Sequence, residues 1–266
     1  MWTRNWHRSR LTIVLGTLLA ASGLPATILA REPDPTTGDP QAKTIQFKAP
    51  GSQAVATARA IVVVPRSYTD KNTAEHRYPV VYLLHGYSGN QTDWYQHSKT
   101  ARKPLAALAD RFGAIIVCPD GRFSSWYLDA PSDAENPADW QMETTIIKHL
   151  IPEIDRQYRT WAEPDGRAIV GLSMGGHGAL YLAARNADHF AACASMSGVM
   201  DLRHSTKSYD LAKRLGAIEQ HADRWTEASA ITFVEKFAGR KIGIMIDCGW
   251  DDPFMADTRK VHEKML

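Results

Sequence analysis

The sequence predicts an α/β fold, a mostly parallel central sheet with helices on both faces, and three observations carry that expectation. First, apolar β-branched runs alternate with segments of helical periodicity from about residue 44 onward, the pattern of strands joined by crossover helices. Second, the run YPVVYLLH, Tyr78–His85, is nearly continuous in apolar residues. A strand buried on both faces needs that composition, whereas a half-exposed strand alternates. Third, Ala168-Ile-Val-Gly-Leu-Ser-Met-Gly-Gly-His-Gly-Ala-Leu180 passes from a strand through glycines into good helix formers,. The length of 266 residues suits one large domain that can bury a full core,.

The first 30 residues are expected to be a secretory signal peptide. Arg4, His7, Arg8 and Arg10 precede a 14-residue apolar stretch, Leu11 to Leu24. That stretch is short for a bilayer span, and Ala30 before Arg31 offers a cleavage point. The reading therefore expects a secreted or periplasmic protein with no stable membrane insertion after cleavage. Residues 31–43, with Pro33, Pro35 and Pro40, are expected to be an extended leader,. The domain then runs over residues 44–266. Thr44–Lys48 and Val55–Val64 form an antiparallel entry, Tyr78–His85 the first central strand, and Thr100–Phe112 a helix. Ala114–Pro119 is a strand and Trp140–Tyr158 a helix with Ile146, Ile147, Leu150, Ile151 and Ile154 as its apolar set. After the strand and helix around Ser173, Phe190–Met196 is another strand. Residues 200–239 break the alternation and read as a helical insertion over the strand ends. Lys241–Cys248 is the last strand, an open apolar edge, and Pro253–Leu266 begins a helix.

Composition narrows the function class. The formal net charge is +2, but residues 1–30 hold three arginines and no acid. Without them, 28 basic side chains face 29 acidic ones. Nothing in that balance points to nucleic acid or to an anionic membrane surface. Cys118, Cys193 and Cys248 sit in or at the end of apolar runs and read as small buried hydrophobes, with one disulfide left open. The sequence carries no signature for a metal or a cofactor.

Chemistry concentrates in three motifs. Gly171-Leu-Ser-Met-Gly175 is a G-x-S-x-G pattern in its strand–turn–helix context. There a serine hydroxyl stands clear of the sheet on a tight turn at a helix N-terminus. The competing reading is an ordinary connection with Ser173 as N-cap. Leu83-Leu-His-Gly-Tyr-Ser-Gly89 follows the first central strand. Its Tyr87 N–H and the Met174 N–H are the candidate donors for an oxyanion. Ile246-Asp-Cys-Gly-Trp-Asp-Asp252 ends a strand in a carboxylate-bearing turn, where a Ser, Asp, His order puts the acid; Asp252 is favoured and Asp251 is the alternative. His85, at a strand end, and His177, inside the helix after Ser173, read as structural. Trp94, Trp126 and Trp225 are candidates for an aromatic or sugar subsite, with core or rim packing as the competing reading.

YPVVYLLHGYSGNQTDW, VCPDGRFSSWYLDAP, GLSMGGHGAL and DCGWDDPF together resemble the putative-esterase family of α/β-hydrolases. That family takes in esterase D (S-formylglutathione hydrolase), tributyrin, feruloyl and acetyl-xylan esterases, and the mycobacterial mycolyltransferases. The resemblance runs from about Ile45 to the last residue, and Ser125–Asp129 is most similar to the tributyrin-esterase and mycolyltransferase branches. It implies a cofactor-free serine carboxylesterase of short-chain or aromatic acyl esters, free or on a carbohydrate. It implies Ser173 as nucleophile, Asp252 as acid, and Tyr87 and Met174 as oxyanion donors. It also implies a histidine some tens of residues beyond the acid, after a further strand. Only 14 residues follow Asp252, and His262 lies in the helix directly after it. The domain is therefore expected to lack its C-terminal strand and histidine loop, as a gene fragment would, and to be a poor hydrolase. The other readings are an acyltransferase to a sugar hydroxyl and a non-catalytic binding protein on a hydrolase scaffold.

Overall fold

The computed structural model of the chain describes residues 34–51, 57–96 and 104–266. The expected signal peptide, the first residues of the leader, His97 and the start of the expected Thr100–Phe112 helix lie outside them. Seven strands form one sheet: β1 (Ala42–Lys48), β2 (Thr57–Val63), β3 (Val80–Leu84), β4 (Ile115–Pro119), β5 (Arg167–Leu172), β6 (Ala192–Met196) and β7 (Gly243–Asp247). Their spatial order is β1-β2-β4-β3-β5-β6-β7. β1 and β2 enter antiparallel, and β3 to β7 run parallel. This is the expected α/β architecture. Parallel neighbours put all their C-terminal ends on one edge, where open sheets of this kind place their sites.

Strand composition decides which residue faces which layer. In β2, Ala60 and Val62 enter the main core, while Ile61 and Val63 enter a smaller one. In β4, Ile115 and Val117 go one way, and Ile116 and Cys118 the other. That is the period of two in a strand buried on both sides. β3 is shorter than the apolar run Tyr78–His85 because Pro79 has no N–H to give to a ladder; Tyr78 makes only an isolated bridge, to Thr160.

The main face carries most of the helical mass. One long helical stretch begins as Met142–Thr144, passes through a π-helical segment at Thr145–Leu150 and ends as Ile151–Gln157. Ile146, Leu150 and Ile154 on it are fully buried. The helix after β5, α1 (Met174–Arg185), is buried along nearly its whole length. The insertion contributes α2 (Leu211–Leu215) and α3 (Ile218–Ala228). Polar on average, it still buries Leu211, Leu215, Trp225 and Val234 in the main core. The last helix, α4 (Met255–Met265), adds Val261. The other face carries less helical mass among the described residues. Among the described residues, the helix Pro104–Phe112 packs against β2 and β4 there. Toward β7 the same face opens. The row Leu83, Val170, Ala194, Met245 runs out to Met245, which is 57% exposed, and Leu172 is 41% exposed.

Two further expectations are adjusted. From Asp34 the leader is turned, not extended. The Asp34 carboxylate accepts hydrogen bonds from the Thr36 N–H and hydroxyl and from the Thr44 hydroxyl, which folds the segment back onto β1. All three cysteines are free. Cys118 belongs to the smaller core and Cys193 to the main one, so the sheet itself separates them. Burial pushes both thiols up, Cys193 to about 12, and neither is poised as a thiolate.

The asymmetry of the two faces gives a prediction. Ile169 is fully buried at the centre of β5; Ile169→Ala should lower unfolding stability by about 2–5 kcal/mol. Met245→Ala, on the open face, should change it by no more than about 0.5 kcal/mol. Urea unfolding of both variants checks the pair, and equal losses would mean the open face is covered.

Candidate active site

The turn after β5 has the geometry its glycines suggest. Ser173 sits at φ 56° and ψ −115°, between the strand and α1. A non-glycine residue held there costs on the order of 1–3 kcal/mol and persists only where its surroundings fix it. They do: the Ser173 N–H donates to the Met196 carbonyl at 2.8 Å, and the Ser173 carbonyl accepts from the His177 N–H at 2.9 Å. No side-chain cap involves the Ser173 hydroxyl, so the N-cap reading is not what the structure shows. Close approach explains the flanking glycines. A Cβ on Gly171 would lie 2.1 Å from the Gly175 carbonyl oxygen, and one on Gly175 would lie 2.3 Å from that of Leu84.

The loop after β3 reaches the same place. A Cβ on Gly86 would stand 3.7 Å from the Ser173 Cβ, so Tyr87 is the next residue past one that abuts the serine. The Tyr87 and Met174 N–H groups have no acceptor among the described residues. The second of these heads the first turn of α1, where N–H groups are left over by the helix. The loop is tied to the one after β4 by Ser88 N–H to the Phe123 carbonyl, 2.8 Å.

Both nearby histidines are committed to structure. The His85 Nε2 accepts from the Gly121 N–H at 2.8 Å, which leaves Nδ1–H to donate to the Gly86 carbonyl, also 2.8 Å. The ring is a neutral brace between two loops, and burial lowers its pKa,. His177 is fully buried and has a carbonyl beside each ring nitrogen, Ala228 at 2.8 Å and Trp126 at 3.2 Å; the neutral ring has one N–H and donates to one of the two. Burial brings its pKa down to about 4. Elsewhere, the His204 Nδ1 pairs with the Asp257 carboxylate at 2.7 Å. Among the described residues no histidine hydrogen-bonds the Ser173 hydroxyl.

Past β7, Asp251 is exposed and Asp252 half-buried. The Asp252 carboxylate accepts from the Phe254 N–H at 2.8 Å, and its carbonyl accepts from Met255 N–H. It therefore shapes the turn into α4. Ser197 N–H to the Asp247 carbonyl joins the ends of β6 and β7, so Ser173, Tyr87 and the Asp252 turn share one edge of the sheet.

Trp126 and Trp225 take the packing reading, and Trp94 is half-buried. Trp126 is 1% exposed. It meets His177 and Tyr209 edge-on and donates from Nε1 to the Tyr209 carbonyl at 3.1 Å. Trp94 packs on the smaller core, and Trp225 is fully buried. The exposed aromatic residues that pack on Tyr87 are Phe123 and Tyr209, which the sequence reading did not single out. Phe123 was discoverable only as part of the loop after β4; Tyr209 carried no local signal, because its place depends on how the insertion folds back.

Comparison with known proteins agrees with this geometry. A family profile described as "Putative esterase" matches residues 52–265. An esterase of Mycobacterium tuberculosis is 40% identical over 148 residues, 53% of this chain and 29% of that protein. The chain thus spans less than a third of the length of that relative. An S-formylglutathione hydrolase of Bos taurus is 24% identical, over 78% of this chain and 74% of its own. Among solved structures, a ferulic acid esterase is similar with a TM-score of 0.64 and 25% identity, covering 85% of both chains.

The buried imidazole of His177 sets a pH dependence. Its folded pKa of about 4 lies below the unfolded value of about 6.5, so the unfolded chain binds more protons between those limits. Stability should be unaffected by this group above about pH 6.5, fall as pH drops through the window, and lose about 3 kcal/mol by its lower end. Urea unfolding at several pH values measures the slope, which His177→Gln should reduce. An imidazole at this position that titrates near 6.5 by NMR would overturn the assignment.

Proposed function

The chain belongs to the putative esterase family, and from that premise we propose that it is an exported serine carboxylesterase acting on short-chain or aromatic acyl esters. The observation that carries the reading is the strained Ser173 turn, packed against Gly86, with the N–H groups of the next residues Met174 and Tyr87 left without acceptors among the described residues. In the proposed reaction the Ser173 Oγ attacks the ester carbonyl carbon as its proton passes to a base. The carbonyl oxygen gains negative charge and is held by the Tyr87 and Met174 N–H groups. Collapse expels the alcohol, which takes up a proton, and leaves an acyl-enzyme that water resolves. Asp252 is proposed as the carboxylate that orients the base. A sugar hydroxyl in place of water would make the same acyl-enzyme an acyltransferase intermediate.

The base is the weak point. His85 and His177 are neutral and spent on loop carbonyls and an N–H. Among the described residues no imidazole hydrogen-bonds Ser173, and a serine without one keeps its high pKa. Turnover should then be residual, about 10³–10⁴ over water by analogy with triads missing a member.

Two outcomes are expected. An alkyl fluorophosphonate should modify the peptide that carries Ser173, slowly, and Ser173→Ala should abolish that label and the residual p-nitrophenyl acetate hydrolysis. Labelling at another residue, or turnover that survives the substitution, would refute the nucleophile. For export, the mature chain recovered outside the cytoplasm should begin near Arg31 by N-terminal sequencing; retention of Met1 would refute that part.

A further inference from the structure

A pocket of about 190 Å³ opens where three segments distant in sequence meet: the loop after β4, the last turns of α1, and α2 with α3 of the insertion. At about 30 Å³ for each water, that is room for a few waters or one small organic molecule. Leu215 and Ala228 in its wall belong to the main core. The polar members of the wall are Asp129, Tyr181, Arg185, Arg224 and Glu227. Tyr181 lies two turns along α1 from Ser173, a helix rise of about 12 Å. The pocket is therefore a separate place on the molecule from the Ser173 turn.

The charges in the wall do not balance. The Arg185 Nε donates to both Glu143 oxygens, at 3.0 and 3.1 Å, and Arg224 donates to Asp133 at 2.7 Å. Each guanidinium is thus matched by a carboxylate that is not itself in the wall. Asp129 and Glu227 have no ion-pair partner among the described residues. The Asp129 carboxylate accepts from the Thr144 N–H and hydroxyl, at 2.9 and 2.6 Å, which leaves about half of its acceptor positions open. Arg185 stands within electrostatic reach of Asp129, but its charge is already matched by Glu143. Tyr181 adds an unpaired hydroxyl. It is 6% exposed, and that hydroxyl has no hydrogen-bond partner among the described residues, although a buried tyrosine usually finds one. The ring is taken up by His177, stacked at 5.5 Å, by Phe233 edge-on at 5.7 Å and by the Arg185 guanidinium at 5.2 Å. The hydroxyl is what Tyr181 has left to offer the pocket, and Asp129 and Glu227 both act on it through space.

We infer that this pocket binds a small organic cation, an alkylammonium or guanidinium group, held by Asp129 and Glu227 with the Tyr181 hydroxyl as a third acceptor. Such a group donates several directed hydrogen bonds and carries the charge that the two carboxylates lack. The apolar residues between the charges suit its alkyl part. A metal ion fits less well. Calcium takes about six to eight oxygens, and here two arginines stand in the wall where further oxygens would have to be. Water satisfies the hydroxyl but leaves the carboxylates without a counter-charge. A bound cation joins the loop after β4, α1 and α3, and so stabilises the folded chain by mass action.

The test titrates five probes into the full chain by calorimetry, with thermal unfolding as a second readout. Agmatine and putrescine are the organic cations, butanediol the neutral match, succinate the anion and Ca²⁺ the metal. The expected result is a Kd for at least one organic cation about tenfold or more below those of the other three probes. The same cation should raise Tm, and added salt should weaken it. Tyr181→Phe keeps the ring and its stack on His177 and removes only the hydroxyl. Glu227→Gln changes an exposed side chain. Each should raise the cation's Kd about 3–10-fold and leave the Tm of the unliganded chain close to that of the parent. Equal Kd values for all probes, no detectable binding of either organic cation, or tighter binding of Ca²⁺ would overturn the inference. So would cation binding indifferent to both substitutions, which would put the cation elsewhere on the surface. None of these readouts depends on ester turnover, so the fate of the Ser173 reading is decided separately.

Discussion

Close backbone approach between the first turn of α1 and the end of β3 is the constraint on which the site depends. Gly175 lies so near the carbonyls of Leu84 and His85 that any β-carbon would collide with main-chain atoms, which cannot move aside as a side chain can. That approach brings the loop carrying Tyr87 up to Ser173. It also requires the sharp reversal at Ser173, because a helix starting a residue later would carry α1 away from β3. Gly176 and Gly178 extend the same constraint. The first leaves room for Gly198 and the Ser195 hydroxyl, the second for the Tyr127 ring. A run of glycines that weakens a helix by propensity is here the means of packing it against three neighbours.

The polar side chains around that contact show why the two suggestive histidines were poor candidates for a base. A general base needs one nitrogen free to accept and an environment that lets the ring charge. His85 has its accepting nitrogen filled by Gly121 N–H and its donor filled by the Gly86 carbonyl. Its role is to join the loops after β3 and β4, which Tyr127 reinforces by donating to the His85 carbonyl at 3.1 Å. His177 packs between the loop after β4 and the insertion, its one N–H given to a carbonyl of either Trp126 or Ala228,, with Tyr181 stacked on it at 5.5 Å. Burial suppresses the charged form of both rings, and that keeps them reliable as hydrogen-bonding struts across the physiological range.

What the sequence made legible follows from the range of the interactions involved. Strand alternation, the glycine-flanked serine and the helix after it are local, and each appears within a few residues of where its chemistry puts it. β3 starts only after Pro79, itself a local fact. The failures are all long-range. Trp126 and Trp94 are large and aromatic in a loop near the site, yet nothing in their neighbourhood reveals that Trp126 must fill the space between His177 and Tyr209. The insertion read as polar helices over the strand ends, and Leu211, Leu215 and Trp225 are spaced so that its short helices dock into the main core. The thin second face was invisible too: apolar residues such as Leu172 and Met245 fit a buried strand whether or not a helix covers them.

The insertion's docking has a consequence for how the site is held. Once Trp225 and Leu215 are buried, the segment between α1's neighbours and α2 has little freedom, and Tyr209–Asp210 is forced into its left-handed pair. Asp210 then reaches the Tyr87 hydroxyl, and Arg214, four residues on, lies 3.3 Å over the Trp140 ring. Loops from β3, β4 and the insertion are thus locked to one another by side chains, while β5 and α1 are locked by backbone contact. The two kinds of restraint meet at Gly86–Tyr87. Electrostatic help to a developing oxyanion is large only when its donors need no reorganisation, and a donor peptide pinned from both directions has the least freedom to reorganise.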